Sequence, residues 1–110
     1  MFDVKGTQIM CSRQDTGTFT VTFTGDDAPA DGTIVLVSLK TTPKKEAKVI
    51  WEKRLTVVNS KITVHIGKTD SDLREGAYWW DARILFDDAE EPYTPMEPAL
   101  FRVLEVVGNV

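Results

Sequence analysis

The sequence predicts an all-β fold, a two-sheet antiparallel sandwich of about seven strands formed by a single domain over residues 1–110. Three observations predict it. Apolar and polar residues alternate with period two in separate short segments, as half-buried strands require. Clusters of Gly, Pro, Asp and Asn fall between those segments, where turns are needed. The only helix-like stretch is residues 69–76, which has room for one turn between its cap and its glycine.

The elements follow in chain order. Residues 7–12 read as a weak first strand. Residues 18–24, TFTVTFT, set Phe19, Val21 and Phe23 on one face and four threonines on the other. GDDAPADG then makes a loop. Residues 33–39, TIVLVSL, form a β-branched run too short for a helix, so a central strand covered at least partly on both faces is expected. Residues 40–48, KTTPKKEAK, read as a polar loop. In residues 49–58, VIWEKRLTVV, Val49, Trp51, Lys53 and Leu55 share one parity, and Ile50, Glu52 and Arg54 share the other. Asn59 and Ser60 suit a two-residue hairpin turn into residues 61–66, KITVHI, whose core face is Ile62, Val64 and Ile66.

Thr69 or Asp70 can cap the single turn, Gly76 can end it, and Leu73 is placed to plug the end of the core. In residues 77–86, AYWWDARILF, the core parity holds Tyr78, Trp80, Ala82, Ile84 and Phe86, and Trp79, Asp81 and Arg83 point to solvent. DDAEEPYTPMEP is a long acidic loop punctuated by proline. Residues 99–107 make the last strand, with a parity break at Val103-Leu104 that implies a bulge or a second covered face.

Composition narrows the function classes. The net charge is −4, whereas phosphate binding wants a basic stripe, so nucleic acid is not an expected partner. The longest basic cluster, Lys44, Lys45 and Lys48, lies in a polar loop. The single cysteine, Cys11, cannot form an intrachain disulfide and reads as a small buried hydrophobe. MFDVKGTQ lacks the pattern of a signal peptide, and no apolar run approaches the ~20 residues of a membrane helix. The expected setting is the bacterial cytoplasm, or a larger particle assembled from it, with no membrane partner.

The sequence suggests no assembled catalytic site, metal site or cofactor site. His65 is the only histidine and falls on the polar parity of its strand. A Cys/His zinc site needs several such ligands, and this chain has one of each, far apart. Asp87, Asp88, Glu90 and Glu91 form the densest acidic cluster, without the spacing of a calcium loop. Asp26 and Asp27 likewise read as loop carboxylates. The chain is therefore expected not to be an enzyme. The candidate interaction surface consists of Trp79, Tyr93, Met96 and Trp51, because aromatics and Met at strand edges and loops are over-used at protein contacts.

Residues 69–86, TDSDLREGAYWWDARILF, resemble the closing half of the N-terminal domain of phage baseplate upper proteins and related tail-fibre attachment domains. The residues that carry the resemblance are Thr69, Leu73, Gly76, Tyr78, Trp80, Asp81 and Ile84. Upstream, GTFTVTFTGDDAPADGTIVLVSL resembles that family's opening strand pair, and Phe101 and Val103 fall where its closing strand would lie. The resemblance spans about residues 15–107. It implies an immunoglobulin-like sandwich that binds other virion or tail proteins, self-associates in repeated copies and carries no cofactor. The chain departs from the family in its long proline-rich loop over residues 92–98 and in stopping at Val110, where the family continues into a stalk. A competing expectation is a carbohydrate-binding or cell-surface adhesion module with Trp51 or Trp79 as its platform.

Overall fold

The computed structural model describes residues 2–26, 28–86 and 93–105. Among them there is no helix, and there are eight strands: β1 (Phe2–Lys5), β2 (Gln8–Ser12), β3 (Gly17–Thr22), β4 (Ile34–Lys40), β5 (Val49–Thr56), β6 (Lys61–Ile66), β7 (Gly76–Leu85) and β8 (Ala99–Leu104). A six-stranded sheet has the order β1-β2-β8-β7-β4-β5, and β3 and β6 form a two-stranded sheet. The two sheets face each other across a core that includes Val37, Leu39, Ile62, Val64, Phe101 and Val103. Phe19 of β3 meets Trp80 of β7 across the gap, with ring centroids 5.0 Å apart.

Two corrections to the sequence reading concern topology. The extra strand is β1, which pairs with β2 through a turn at Gly6-Thr7, where Gly6 adopts φ 62°. FDVK has one charged residue beside each apolar one and too few positions to show a period. The large sheet is also mixed, because β2 and β8 run parallel while its other neighbours are antiparallel. Parallel neighbours are brought together by chain between them that local alternation cannot reveal.

Asn59 and Ser60 do make the expected two-residue turn. Both have positive φ, 54° and 63°, as a type I′ turn requires. The hairpin closes only one bridge, Val58 to Lys61, before the chain passes from β5 in the large sheet to β6 in the small one. A register shift at Leu39/Lys40 sets Val49 opposite Lys40, so Val49 leaves the parity it was expected to share with Trp51 and is exposed. β8 pairs regularly with β2 through Ser12–Leu104, and residues 106 and 107 lie outside the described residues.

The segment before β7 is a set of turns and not the expected helical turn: Asp70 Oδ2 accepts the upstream Gly67 N–H at 2.8 Å instead of capping a helix, and Gly76 is the first residue of β7. Leu73 packs against the core as expected. Tyr78 donates its hydroxyl to the Arg74 carbonyl at 2.6 Å, pinning the corner where β7 begins. Immunoglobulin-type sandwiches use the same tyrosine corner. Arg13 of the β2–β3 turn pairs with Asp72 at 2.8 Å, tying the same end of the molecule together. The Arg13 guanidinium holds the Asp72 carboxyl below its ordinary range, although an exposed pair of this kind adds little stability.

Candidate interaction surface

The backbone of Tyr93 is fixed by two hydrogen bonds to the end of β7, Ile84 N to Tyr93 O at 2.7 Å and Tyr93 N to Ile84 O at 2.9 Å. Its ring lies 6.4 Å from that of Phe86 and is 52% exposed. Three residues on, Met96 packs partly against the core. Met96 is shared by two depressions. One is a groove on the outer face, where it meets Trp79, Gln8 and Leu100. The other is a cleft between the sheets, where it joins Tyr93, Trp80 and Ile84. Of the four expected surface residues, Met96 is thus shared by two depressions, with Tyr93 in one and Trp79 in the other.

Trp51 is not with them. It lies opposite Leu39 on the inward side of β5, its indole N–H donates to the Asp70 carbonyl at 3.0 Å, and its ring meets Phe101 edge-on at 6.4 Å. The Lys53 ammonium sits 5.3 Å from the ring centroid and pairs with Asp70 at 2.9 Å. Trp51 is therefore a half-buried core-edge residue and not a free platform. Alternation placed it on a strand face but could not show that the 67–71 turn covers that face.

The outer face of the large sheet holds a feature the sequence reading missed. Asp81 was expected in solvent with Trp79 and Arg83, and Lys40 was read as loop. Instead β4 runs to Lys40, and Asp81 and Lys40 are buried together, 3.7 Å apart. Lys40 also donates to the Lys45 carbonyl at 3.3 Å. Beside them, Glu52 Oε2 accepts from Ser38 at 3.0 Å and from Arg83 at 2.6 Å. Asp81 Oδ1 and Arg83 Nε are buried without a hydrogen-bond partner. The surrounding cleft is walled by Pro43, Lys44, Lys45, Thr94 and Pro98. The available signal was cross-strand: Ser38 and Lys40 lie opposite Asp81 and Trp79, a register no single segment reveals.

Cys11 is fully buried, and burial, with Asp15 nearby, pushes its thiol up to about 11. His65 is exposed on β6, with Nδ1 3.4 Å from the Thr18 hydroxyl. Asp27, Asp87, Asp88, Glu90 and Glu91 lie outside the described residues. Among the described residues, no group of three His, Cys, Asp or Glu is placed to hold a metal, and no helix is long and apolar enough to cross a membrane.

No protein-family profile matches the sequence, and no curated protein matches it. The arrangement itself offers apolar contact area beside a fixed backbone, together with a polar cluster one strand away.

Proposed function

We propose that this chain is a non-enzymatic assembly module of a phage or prophage virion, acting in the baseplate, tail or neck through protein–protein contacts. The observation that carries the reading is that Met96, on a segment anchored to β7 at Tyr93, lines both the inter-sheet cleft with Tyr93 and the outer groove with Trp79. The tyrosine corner at Tyr78, within the segment that resembles the baseplate domain, supports it. On this reading the partners are other virion or tail proteins and further copies of the chain. Its place is the virion, or the bacterial cytoplasm before assembly.

The test is light scattering coupled to size exclusion at micromolar concentration, with the protein alone and then with the products of neighbouring genes. The expected result is an oligomer or a co-eluting complex that Met96→Glu dissolves. A strict monomer that binds none of those products would overturn the reading. A second reading, a carbohydrate-binding or adhesion module, is favoured by one observation. Trp79 is half-buried in the outer groove beside Gln8 and Leu100, which leaves part of its ring open to stack on a sugar. Binding on a glycan array that Trp79→Ala abolishes would support that alternative.

A further inference from the structure

The two sheets are unequal, and the inequality leaves a strand-shaped vacancy. Among the described residues β3 has one partner, β6. Phe23 N donates to Ser60 O at 2.8 Å, and the same register continues through Val21↔Ile62 and Phe19↔Val64. In an antiparallel pair, residues that exchange hydrogen bonds alternate with residues whose backbone groups point the other way. Thr18, Thr20 and Thr22 therefore present their N–H and C=O groups to the open side of β3. Beneath that side the larger sheet continues. Val4 pairs with Ile9, so both face inward, yet Ile9 is buried and Val4 is 41% exposed. Two residues earlier, Phe2 packs against Gly17 at the start of β3, and past that contact Val4 lies open. The vacancy is a cleft of about 530 Å³ lined by Val4, Ile9, Val21, Trp80, Tyr93 and Met96.

Open edges invite pairing, and natural proteins commonly block them with charge. The other three terminal strands carry charged residues: Asp3 and Lys5 in β1, Glu52, Lys53 and Arg54 in β5, and Lys61 in β6. β3 carries none. We infer that the open edge of β3 is an acceptor for one extended segment of another protein, which adds antiparallel as a third strand of the small sheet. This inference rests on the interaction-module reading and names the form its partner takes.

Two features define the occupant. A second copy is the first candidate, because TFTVTFT reads the same in both directions and a two-fold β3–β3 pairing would set like against like. That pairing fails on space. Each copy would bring its own six-stranded sheet under the shared strands, where β1 and β2 of the first copy already lie. The vacancy admits a strand without a sheet beneath it. Among the described residues, the alternating segments of this chain are already in sheets.

Charge sets the second feature. Asp26, at the end toward which β3 runs, is the only charged residue lining the cleft among the described residues. A complementary segment is uncharged and alternately apolar, with a basic group at its start, where an antiparallel strand meets Asp26. Such strand addition draws affinity from main-chain hydrogen bonds and specificity from alternate side chains.

The test adds the peptide Lys-Val-Thr-Val-Thr-Val-Thr to the ¹⁵N-labelled full chain and follows amide hydrogen exchange by NMR. The expected result is exchange at Thr20 and Thr22 slowed tenfold or more, with little change at Phe19 and Val21. Peptide of the same composition in the order Lys-Val-Val-Val-Thr-Thr-Thr should have no effect. Thr20→Pro removes an outward N–H without touching a bond to β6 and should abolish the response. Val4→Lys, at an exposed position, should weaken it tenfold and keeps the test open if the proline variant fails to fold. Unchanged exchange at Thr20 and Thr22 in millimolar peptide, or equal slowing by the reordered peptide, overturns the acceptor site. A complex with neighbouring gene products that survives Val4→Lys would also count against it, while leaving the interaction-module reading intact.

Discussion

Replacing Trp80 by alanine should destabilise the fold far more than replacing its neighbour Trp79. Trp80 is 3% exposed, packs its ring 5.0 Å from Phe19 and donates its indole N–H to the Thr7 carbonyl at 2.9 Å. Truncating a large buried aromatic costs about 3–5 kcal/mol. Of this, the Phe19 contact accounts for about 0.5–1.5 kcal/mol beyond burial. The lost hydrogen bond adds little, because Thr7 is exposed and water can replace the indole. Trp79 is half-buried in the outer groove, and its loss should cost under about 1.5 kcal/mol, as for a partly solvated position. Urea denaturation reads the difference. With a slope of about 1–3 kcal/mol/M, a loss of 3 kcal/mol moves the midpoint down by about 1–3 M. Trp80→Phe provides a milder member of the series if Trp80→Ala leaves too little stability to measure. A midpoint for Trp79→Ala as low as that for Trp80→Ala would refute the assignment of Trp80 to the inter-sheet core.

Further outcomes are expected. Asp81→Ala strands a buried Lys40 and should cost about 3–5 kcal/mol, whereas the double change Lys40→Met with Asp81→Leu should be neutral or stabilising; a double-mutant cycle in urea decides. Cys11 should react with a disulfide reagent at pH 8 only as fast as the protein unfolds, so stoichiometric labelling of the native protein within a minute would contradict its burial. Its thiol is raised from an ordinary 9.0 to about 11, so this contribution to stability is complete below pH 9 and is lost as the pH rises toward 11. Ser60→Gly relieves a left-handed residue in the hairpin turn and should raise the urea midpoint by an amount worth up to about 1 kcal/mol.

Local alternation was enough to identify most strands because each has one apolar face. KITVHI is the clearest case, with Ile62, Val64 and Ile66 buried and Lys61, Thr63 and His65 exposed. The same rule placed Trp80 inward and Trp79 outward. It failed where the deciding partner is distant in sequence. Parity gives the side to which Asp81 points, but burial there depends on the loops that carry Lys45 and Pro98. Trp51 was misjudged for the same reason, since Asp70 and Phe101 belong to other elements. The open edge of β3 could not be read at all. TFTVTFT looks alike in a central strand and in an edge strand, and the difference lies in which neighbours the topology supplies.

The 93–98 segment explains why the three depressions belong together. Tyr93 and Met96 wall the inter-sheet cleft, Met96 and Pro98 wall the groove with Trp79, and Thr94 and Pro98 wall the polar cleft over Asp81. Among the described residues, one bridge at Tyr93 attaches it to β7. Proline has no N–H to give to a ladder, so Pro95 and Pro98 keep the residues after that bridge from extending the sheet. A segment that cannot become a strand, yet is held at one end, stays on the surface with its side chains available. A substitution that releases Tyr93 from Ile84 would therefore disturb all three depressions at once. A substitution at Trp79, Val4 or Lys40 would disturb only one, and this makes the three surfaces separable by experiment.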